Sequence, residues 1–189
     1  MIDHFAILGQ PRQPWLETDA LKEAFHRLSA SLHPDVPGTG DAAKFAALNS
    51  AFSILREPAS RLRHLLELTA PAALAAASAP PLDLADLFME IAGLRRRLDE
   101  LLAKRNAATS PLTRALLAGE ESALRRDLTN TQSRLEAAET NALAELRVLD
   151  ASWSAAHSDA TAAAHLYQRL SYLARWLTQV REALFVLGS

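Results

Sequence analysis

The tripeptide His33-Pro34-Asp35 is the stretch of the chain whose residue types are best suited to chemistry. An imidazole and a carboxylate two positions apart could act as an acid–base pair. However, no candidate nucleophile, metal-ligand cluster or glycine-rich phosphate loop accompanies them, and the six histidines lack the paired spacing of zinc proteases. We therefore interpret the tripeptide as a recognition loop, and we expect no catalysis, no bound metal and no other cofactor.

Two amphipathic segments flank this loop. Apolar residues recur every three or four positions on both sides of it: Leu21, Phe25, Leu28 and Leu32 before, and Phe45, Leu48, Phe52 and Leu55 after. This spacing predicts a helix over about 19–32 and a second that starts at the N-cap Asp41 and ends before Pro58. Pro34 ends the first helix because proline disfavours helical geometry at the preceding residue. The loop is thus predicted to lie between two helices.

The composition favours an all-α fold. Hydrophobic residues make up 49% of the chain but aromatic residues only 6%, so the apolar content is mainly alanine and leucine, which are strong helix formers. The formal net charge of -2 gives no overall attraction to nucleic acid or anionic membranes. The absence of cysteine excludes disulfides and thiolate-bound zinc or iron–sulfur sites within this chain.

Neither a secretory leader nor a membrane span is indicated. The first residues lack a basic-then-apolar pattern, and no apolar run approaches the roughly 20 residues that cross a bilayer. We therefore expect a cytoplasmic protein.

Three long apolar stripes occupy the second half of the chain. They run from Leu84 to Leu102, from Leu112 to Leu149 after the capping pair Ser110-Pro111, and from about 160 to 187. Short connections between such helices predict an antiparallel three-helix bundle. Residues 69–81 are rich in alanine and proline and are predicted to be a linker. The expected domains are 1–68, with 69–81 as linker, and 82–189.

The N-terminal part resembles a J domain. The likeness rests on the short segment around Phe5 that stops at Gly9, on the His-Pro-Asp tripeptide between its two helices, and on the stretch Leu48 to Pro58. That stretch is similar to the family's "N-A-Y-x-x-L-x-D-P", with Phe52 in the tyrosine position and Glu57 in the aspartate position.

Further likeness to HscB-type co-chaperones, which serve iron–sulfur cluster assembly, extends along the chain. Residues 60–66 are similar to that family's "R-A-x-Y-L-L" stretch, and residues 87–100 resemble the first helix of its C-terminal three-helix bundle. Tyr172 falls where the family carries an aromatic residue used in scaffold binding.

The resemblance implies that the J domain docks on a DnaK/HscA-type chaperone and stimulates its ATPase. Asp35 would engage an arginine of the chaperone, Pro34 would stiffen the loop, and His33 would orient it. The preceding helix would offer Lys22, His26 and Arg27 to an acidic surface, which is less charge than the family usually carries.

The resemblance also implies a client surface on the bundle, formed by Phe88, Met89, Ala92, Arg96 and Tyr172. Phe88 and Met89 keep the apolar part of this surface, whereas Arg96 stands where the family often has glutamate. The expected partner is an iron–sulfur scaffold protein or another protein client.

The residues leave two alternatives open. The chain could be a structural or oligomerisation module that tethers a partner without activating a chaperone; the thin basic face favours this, and the intact tripeptide argues against it. Phe88, Met89 and Tyr172 could also be packing residues, as helical apolar stripes usually are. Self-association through the bundle is left open by the sequence.

Overall fold

The structure is a computed structural model that describes residues 2–33, 41–77, 81–153 and 157–188. Within these ranges it contains eight α-helices, one 3₁₀ turn at Leu82–Leu84 and no strand, which confirms the predicted all-α class. The helices are α1 His4–Leu8, α2 Thr18–Leu32, α3 Ala42–Arg56, α4 Pro58–Thr69, α5 Pro71–Ala76, α6 Ala85–Ala107, α7 Pro111–Ala151 and α8 His157–Gly188. No helix of the described ranges is long and apolar enough to cross a membrane.

The chain divides into two compact units. The first comprises Met1–Ala79 with Ala142–Leu170, and the second comprises Pro80–Asn141 with Ser171–Ser189. Both α7 and α8 therefore contribute to both units. The short helix α5 lies inside the segment predicted as a linker, because Pro71 suits the first turn of a helix and the following alanines favour its continuation.

The core of the first unit forms where α3 packs against both α1 and α2. Asp3 caps α1 by accepting hydrogen bonds from the backbone N–H groups of Phe5 and Ala6, and Gly9 ends it at a φ of 62°. Phe5, Leu8, Leu48, Ala51 and Leu55 are completely buried there.

Part of this core comes from the far end of α7. Trp153 packs against the apolar cluster of α1 and α3. The backbone N–H of Trp15 donates to Asp150 Oδ1 at 2.8 Å, and the Arg147 guanidinium lies 4.2 Å from the Trp15 ring centre. The segment before α2 is thereby tied to the end of α7.

The second unit is held together by the predicted leucine stripes. Arg97 pairs with Asp127 at 2.7 Å and Lys104 with Glu120 at 2.8 Å, so α6 and α7 run antiparallel. Its buried residues include Leu87, Leu94, Leu98 and Leu101 of α6, Leu124, Leu128 and Leu135 of α7, and Leu173, Leu177 and Val180 of α8.

Thr131 is a polar residue within the apolar stripe of α7. It is completely buried, and its hydroxyl lies 2.6 Å from Glu90 Oε1 and 3.0 Å from the Asp127 carbonyl. A buried hydroxyl is tolerated in an apolar stripe when it finds such partners.

Candidate functional site

The two ends of the predicted recognition loop are held side by side. The His33 N–H donates to the Ser29 carbonyl at 3.0 Å and so closes α2, while the Asp41 N–H donates to the Leu32 carbonyl at 3.2 Å. The His33 and Phe45 rings contact each other edge-to-face, with 5.2 Å between their centres. Pro34 and Asp35 lie outside the described residues. The helices α2 and α3 therefore fix where this seven-residue segment, 34–40, leaves and rejoins the fold.

Asp41 anchors the returning chain, as predicted. Its carboxylate accepts hydrogen bonds from the backbone N–H groups of Ala43 at 3.1 Å and Lys44 at 3.0 Å. The Lys44 ammonium lies 3.2 Å from the same carboxylate. Hydrogen bonds from Lys44, first from its backbone, lower the pKa of Asp41, so the cap remains charged at neutral pH.

The predicted cationic residues of α2 do not all share one surface. Lys22 and His26 lie one turn apart and border a groove of about 510 Å³ between α2 and α3. Phe25 and Phe52 stack within it at 4.3 Å between ring centres. Arg27 is exposed but does not line this groove.

Arg56 is a cation of this groove that sequence reasoning missed. Its signal was its position four residues after Phe52, one turn along the same side of α3. Two cations of the groove have neighbouring carboxylates: Lys22 lies 3.5 Å from Asp19, and Arg56 lies 3.3 Å from Glu57. These carboxylates partly offset the positive charge of Lys22 and Arg56.

Arg61 supports this region from within the core. It is only 3% exposed, and it donates to the carbonyls of Pro14 and Leu55, each at 2.8 Å. Burial lowers its pKa to about 10, opposed by Asp150 and Glu57, so the guanidinium remains charged at neutral pH. It fixes the chain before α2 against the end of α3.

The predicted client residues of the second unit form an exposed face. Phe88 is 54% and Met89 69% exposed, and Ala92 and Arg96 are also exposed. The Phe88 ring lies 6.1 Å from that of Trp176, which in turn lies 5.5 Å from Tyr172. The buried Trp176 thus brings Phe88 of α6 and Tyr172 of α8 to one surface.

Arg175 belongs to the same surface and was missed by sequence reasoning. Its guanidinium lies 5.6 Å from the Tyr172 ring centre. The signal for this contact was its spacing, because Arg175 follows Tyr172 by three residues and therefore lies on the same side of α8.

In the described part of the chain, no three histidine, cysteine, aspartate or glutamate side chains are placed to hold a metal ion. In the first region, a hydrogen bond joins the two ends of the loop beside a groove lined in part by cationic side chains. In the second region, apolar and cationic side chains are exposed on one face. Both arrangements suit protein recognition.

Residues 3–64 match the DnaJ domain family. The co-chaperone HscB homologue of Paraburkholderia phymatum is 38% identical over 72 residues, which cover 34% of this chain and 41% of that protein. The homologue of Azoarcus sp. is 36% identical over 73 residues, which cover 35% and 41% of the two chains. The matched stretch therefore spans less than half the length of these curated relatives.

The likeness in three dimensions extends much further. The chaperone HscB of Vibrio cholerae superimposes with a TM-score of 0.59 over 98% of this chain and 99% of its own, at 21% identity. At that identity the superposition shows a shared fold. The predicted resemblance is therefore confirmed: residues 3–64 match the DnaJ domain family, and the chain shares a fold with the chaperone HscB of Vibrio cholerae.

Proposed function

We propose that this chain is a co-chaperone that stimulates the ATPase of a DnaK/HscA-type chaperone through His33-Pro34-Asp35. The observation that carries this proposal is the DnaJ domain of residues 3–64, in which the Leu32–Asp41 hydrogen bond brings together the two ends of the tripeptide's loop. The same chain would deliver a protein client, an iron–sulfur cluster scaffold, bound to its second unit.

Asp35 is the proposed contact with the chaperone. A carboxylate can accept two parallel hydrogen bonds from an arginine, which gives directional as well as electrostatic recognition. Pro34 restricts the backbone, and His33 is held against Phe45. Restricting the loop before binding reduces the conformational entropy lost on binding.

Lys22, His26 and Arg27 would steer the encounter. Exposed charges mainly change the rate of association, and the carboxylates near Lys22 and Arg56 reduce the field that they produce. We therefore expect slow, salt-sensitive association with the chaperone.

Chaperone activation is tested by single-turnover ATP hydrolysis by a purified DnaK-type chaperone, titrated with the full chain. Stimulation is expected with the wild type and is expected to disappear with Asp35→Asn. Asp99→Asn is the control, since Asp99 is an exposed aspartate of α6 and is not among the residues proposed to meet the chaperone. Absence of stimulation by the wild type, or equal stimulation by Asp35→Asn, contradicts the proposed mechanism.

The client role is tested by co-purification of an iron–sulfur scaffold protein with the chain. Phe88→Ala and Met89→Ala are expected to reduce recovery of the scaffold, because they remove exposed apolar surface. Leu116→Ala is the control, since Leu116 is 70% exposed and belongs to α7. Retention regardless of the Phe88 and Met89 changes would place the client surface elsewhere.

A second candidate is a module that tethers a partner or self-associates without activating a chaperone. The neighbouring carboxylates of Lys22 and Arg56 favour it, because they weaken the electrostatic steering of the chaperone encounter. Light scattering together with the ATPase titration separates the two: an oligomer without stimulation supports the tether.

A further inference from the structure

The proposed client face carries cationic charge that its own chain does not neutralise. Arg96 follows Met89 by seven residues, about two turns further along the same side of α6. Arg175 lies over Tyr172 at the other edge of the face. Within the described part of the chain, neither arginine forms an ion pair with a carboxylate.

Three carboxylates of α6, Asp86, Glu90 and Glu100, are already engaged by other groups of the chain. Glu90 accepts from the Thr131 hydroxyl at 2.6 Å and pairs with Arg134. Glu100 faces Lys104, whose pKa is raised mainly by its hydrogen bond to Glu120 and in smaller part by Glu100. Asp86 lies in the first turn of α6, where the helix dipole favours a negative charge. Asp99, three residues after Arg96, is also exposed, so the two arginines and this one carboxylate leave the face with a net positive charge.

We infer that this face binds an acidic and apolar segment of its protein partner, with aliphatic side chains covering Phe88 and Met89 and carboxylates pairing with Arg96 and Arg175. This inference rests on the proposed client role of the face. Burial of the apolar side chains supplies affinity, while the sign of the charge selects among partners. A partner with basic residues at these positions is rejected by like-charge repulsion.

The occupant is a protein segment rather than a nucleic acid. Two arginines neutralise only two phosphates, which is too few for the counterion release that drives polyanion binding. The formal net charge of -2 adds no long-range attraction to a polyanion. The exposed methionine and phenylalanine instead suit the apolar side of an amphipathic segment.

The test uses the full chain and two fluorescein-labelled amphipathic helical peptides of about five turns. Both peptides carry the same leucine stripe, flanked by glutamate in one and by lysine in the other. Fluorescence anisotropy at physiological ionic strength is expected to show about tenfold tighter binding of the glutamate peptide. Arg96→Glu is expected to remove this preference, and Phe88→Ala is expected to weaken the binding of both peptides.

Two further variants test whether the preference depends on the charge of Arg96. Arg126→Glu reverses an exposed arginine of α7 and is expected to leave the preference unchanged. Arg96→Gln, which removes the charge without adding an opposite one, is expected to lower the affinity for the glutamate peptide about fivefold. Circular dichroism checks that each variant is folded.

Equal affinity for the two peptides, or a preference that survives Arg96→Glu combined with Arg175→Glu, overturns the inference. Displacement of the glutamate peptide by oligothymidylate at equal charge also overturns it, because the face would then be a polyanion site. The ATPase titration separates this inference from the proposed function. Loss of chaperone stimulation with an intact peptide preference would refute the co-chaperone and leave the acidic-partner face standing.

Discussion

The two units of the chain use different means to hold their functional surfaces. In the first unit, Arg61 and His64 are 3% and 5% exposed and make directed hydrogen bonds to backbone groups. In the second, the described residues bury a single polar side chain, Thr131, and place their ion pairs on the outside. One unit is organised by buried polar contacts, and the other by leucine packing.

This difference suits the two proposed tasks. A short loop that must meet one chaperone surface requires fixed attachment points, and the Leu32–Asp41 and Arg61 hydrogen bonds supply directional constraints. A client face on a leucine-packed bundle depends only on which side chains the helices expose. Charge on such a face, as at Arg96, can change without disturbing the leucines beneath it.

The largest expected effect is loss of packing in the second unit. Leu135→Ala removes a completely buried side chain and is expected to lower the free energy of unfolding by about 3 kcal/mol. Leu112→Ala, at a position that is 72% exposed, is expected to change it by less than about 0.5 kcal/mol. Urea unfolding followed by circular dichroism measures both, and similar effects of the two changes would contradict the leucine-packed core.

Removal of the buried guanidinium should test the first unit. Arg61→Met is expected to cost about 2 kcal/mol, because it leaves the Pro14 and Leu55 carbonyls without their charged donor. Arg63→Met is the matched control and is expected to cost less than about 1 kcal/mol, since Arg63 is exposed and pairs with Glu67 at the surface. A smaller loss of unfolding free energy for Arg61→Met than for its control would contradict the proposal that buried polar contacts organise the first unit.

The same substitution, glycine to alanine, is expected to change the stability of the fold in opposite directions at two positions. Gly9 ends α1 at a φ of 62°, so Gly9→Ala is expected to destabilise by about 1 kcal/mol. Gly119 is an exposed residue within α7, and an added methyl group would meet no atom within 4 Å. Gly119→Ala is therefore expected to stabilise by about 0.5 to 1 kcal/mol. Thermal unfolding of both variants checks this, and a shift of the same sign in both would contradict it.

The smallest expected effect is a pH dependence confined to the first unit. The His4 backbone N–H donates to His64 Nε2 at 3.1 Å, so His64 must be neutral to accept it. Burial, and then the nearby His4, lower the pKa of His64, against the opposing effects of Glu67 and Asp3. Because the folded pKa lies below the unfolded value of 6.5, this stability is complete above pH 6.5 and is lost as the pH falls.

Urea unfolding at several pH values, with the wild type and His64→Gln, measures this contribution. The wild type is expected to lose more stability than His64→Gln between neutral and mildly acidic pH. Parallel losses in the two proteins would show that His64 does not carry the dependence.

Local features of the fold could be predicted from the sequence. The stripes on α2, α3 and α6, and the caps Asp41 and Ser110, depend on residues within one or two turns of each other, and the structure contains them. The start of α2 was less accurate. The spacing predicts a start at about residue 19, whereas α2 begins at Thr18 after Glu17, an N-cap residue that makes no side-chain capping bond.

Features that join distant parts of the chain could not be predicted. Trp15 bonds to Asp150 across 135 positions, and this contact is one reason why residues 142–170 belong to the first unit. The approach of Phe88 of α6 to Trp176 of α8 depends on the rotation of both helices about their axes, which an apolar stripe alone does not fix. The roles of His33, Pro34, Asp35 and the client residues stay predictions until they are measured.

The most direct test of the central claim is a two-by-two measurement with Asp35→Asn and Phe88→Ala. Each full-length variant is assayed for stimulation of a DnaK-type ATPase and for co-purification of an iron–sulfur scaffold protein. We expect Asp35→Asn to lose stimulation and keep the scaffold, and Phe88→Ala to keep stimulation and lose the scaffold. Loss of both activities in folded Asp35→Asn protein, or stimulation equal to that of the wild type, would contradict the account.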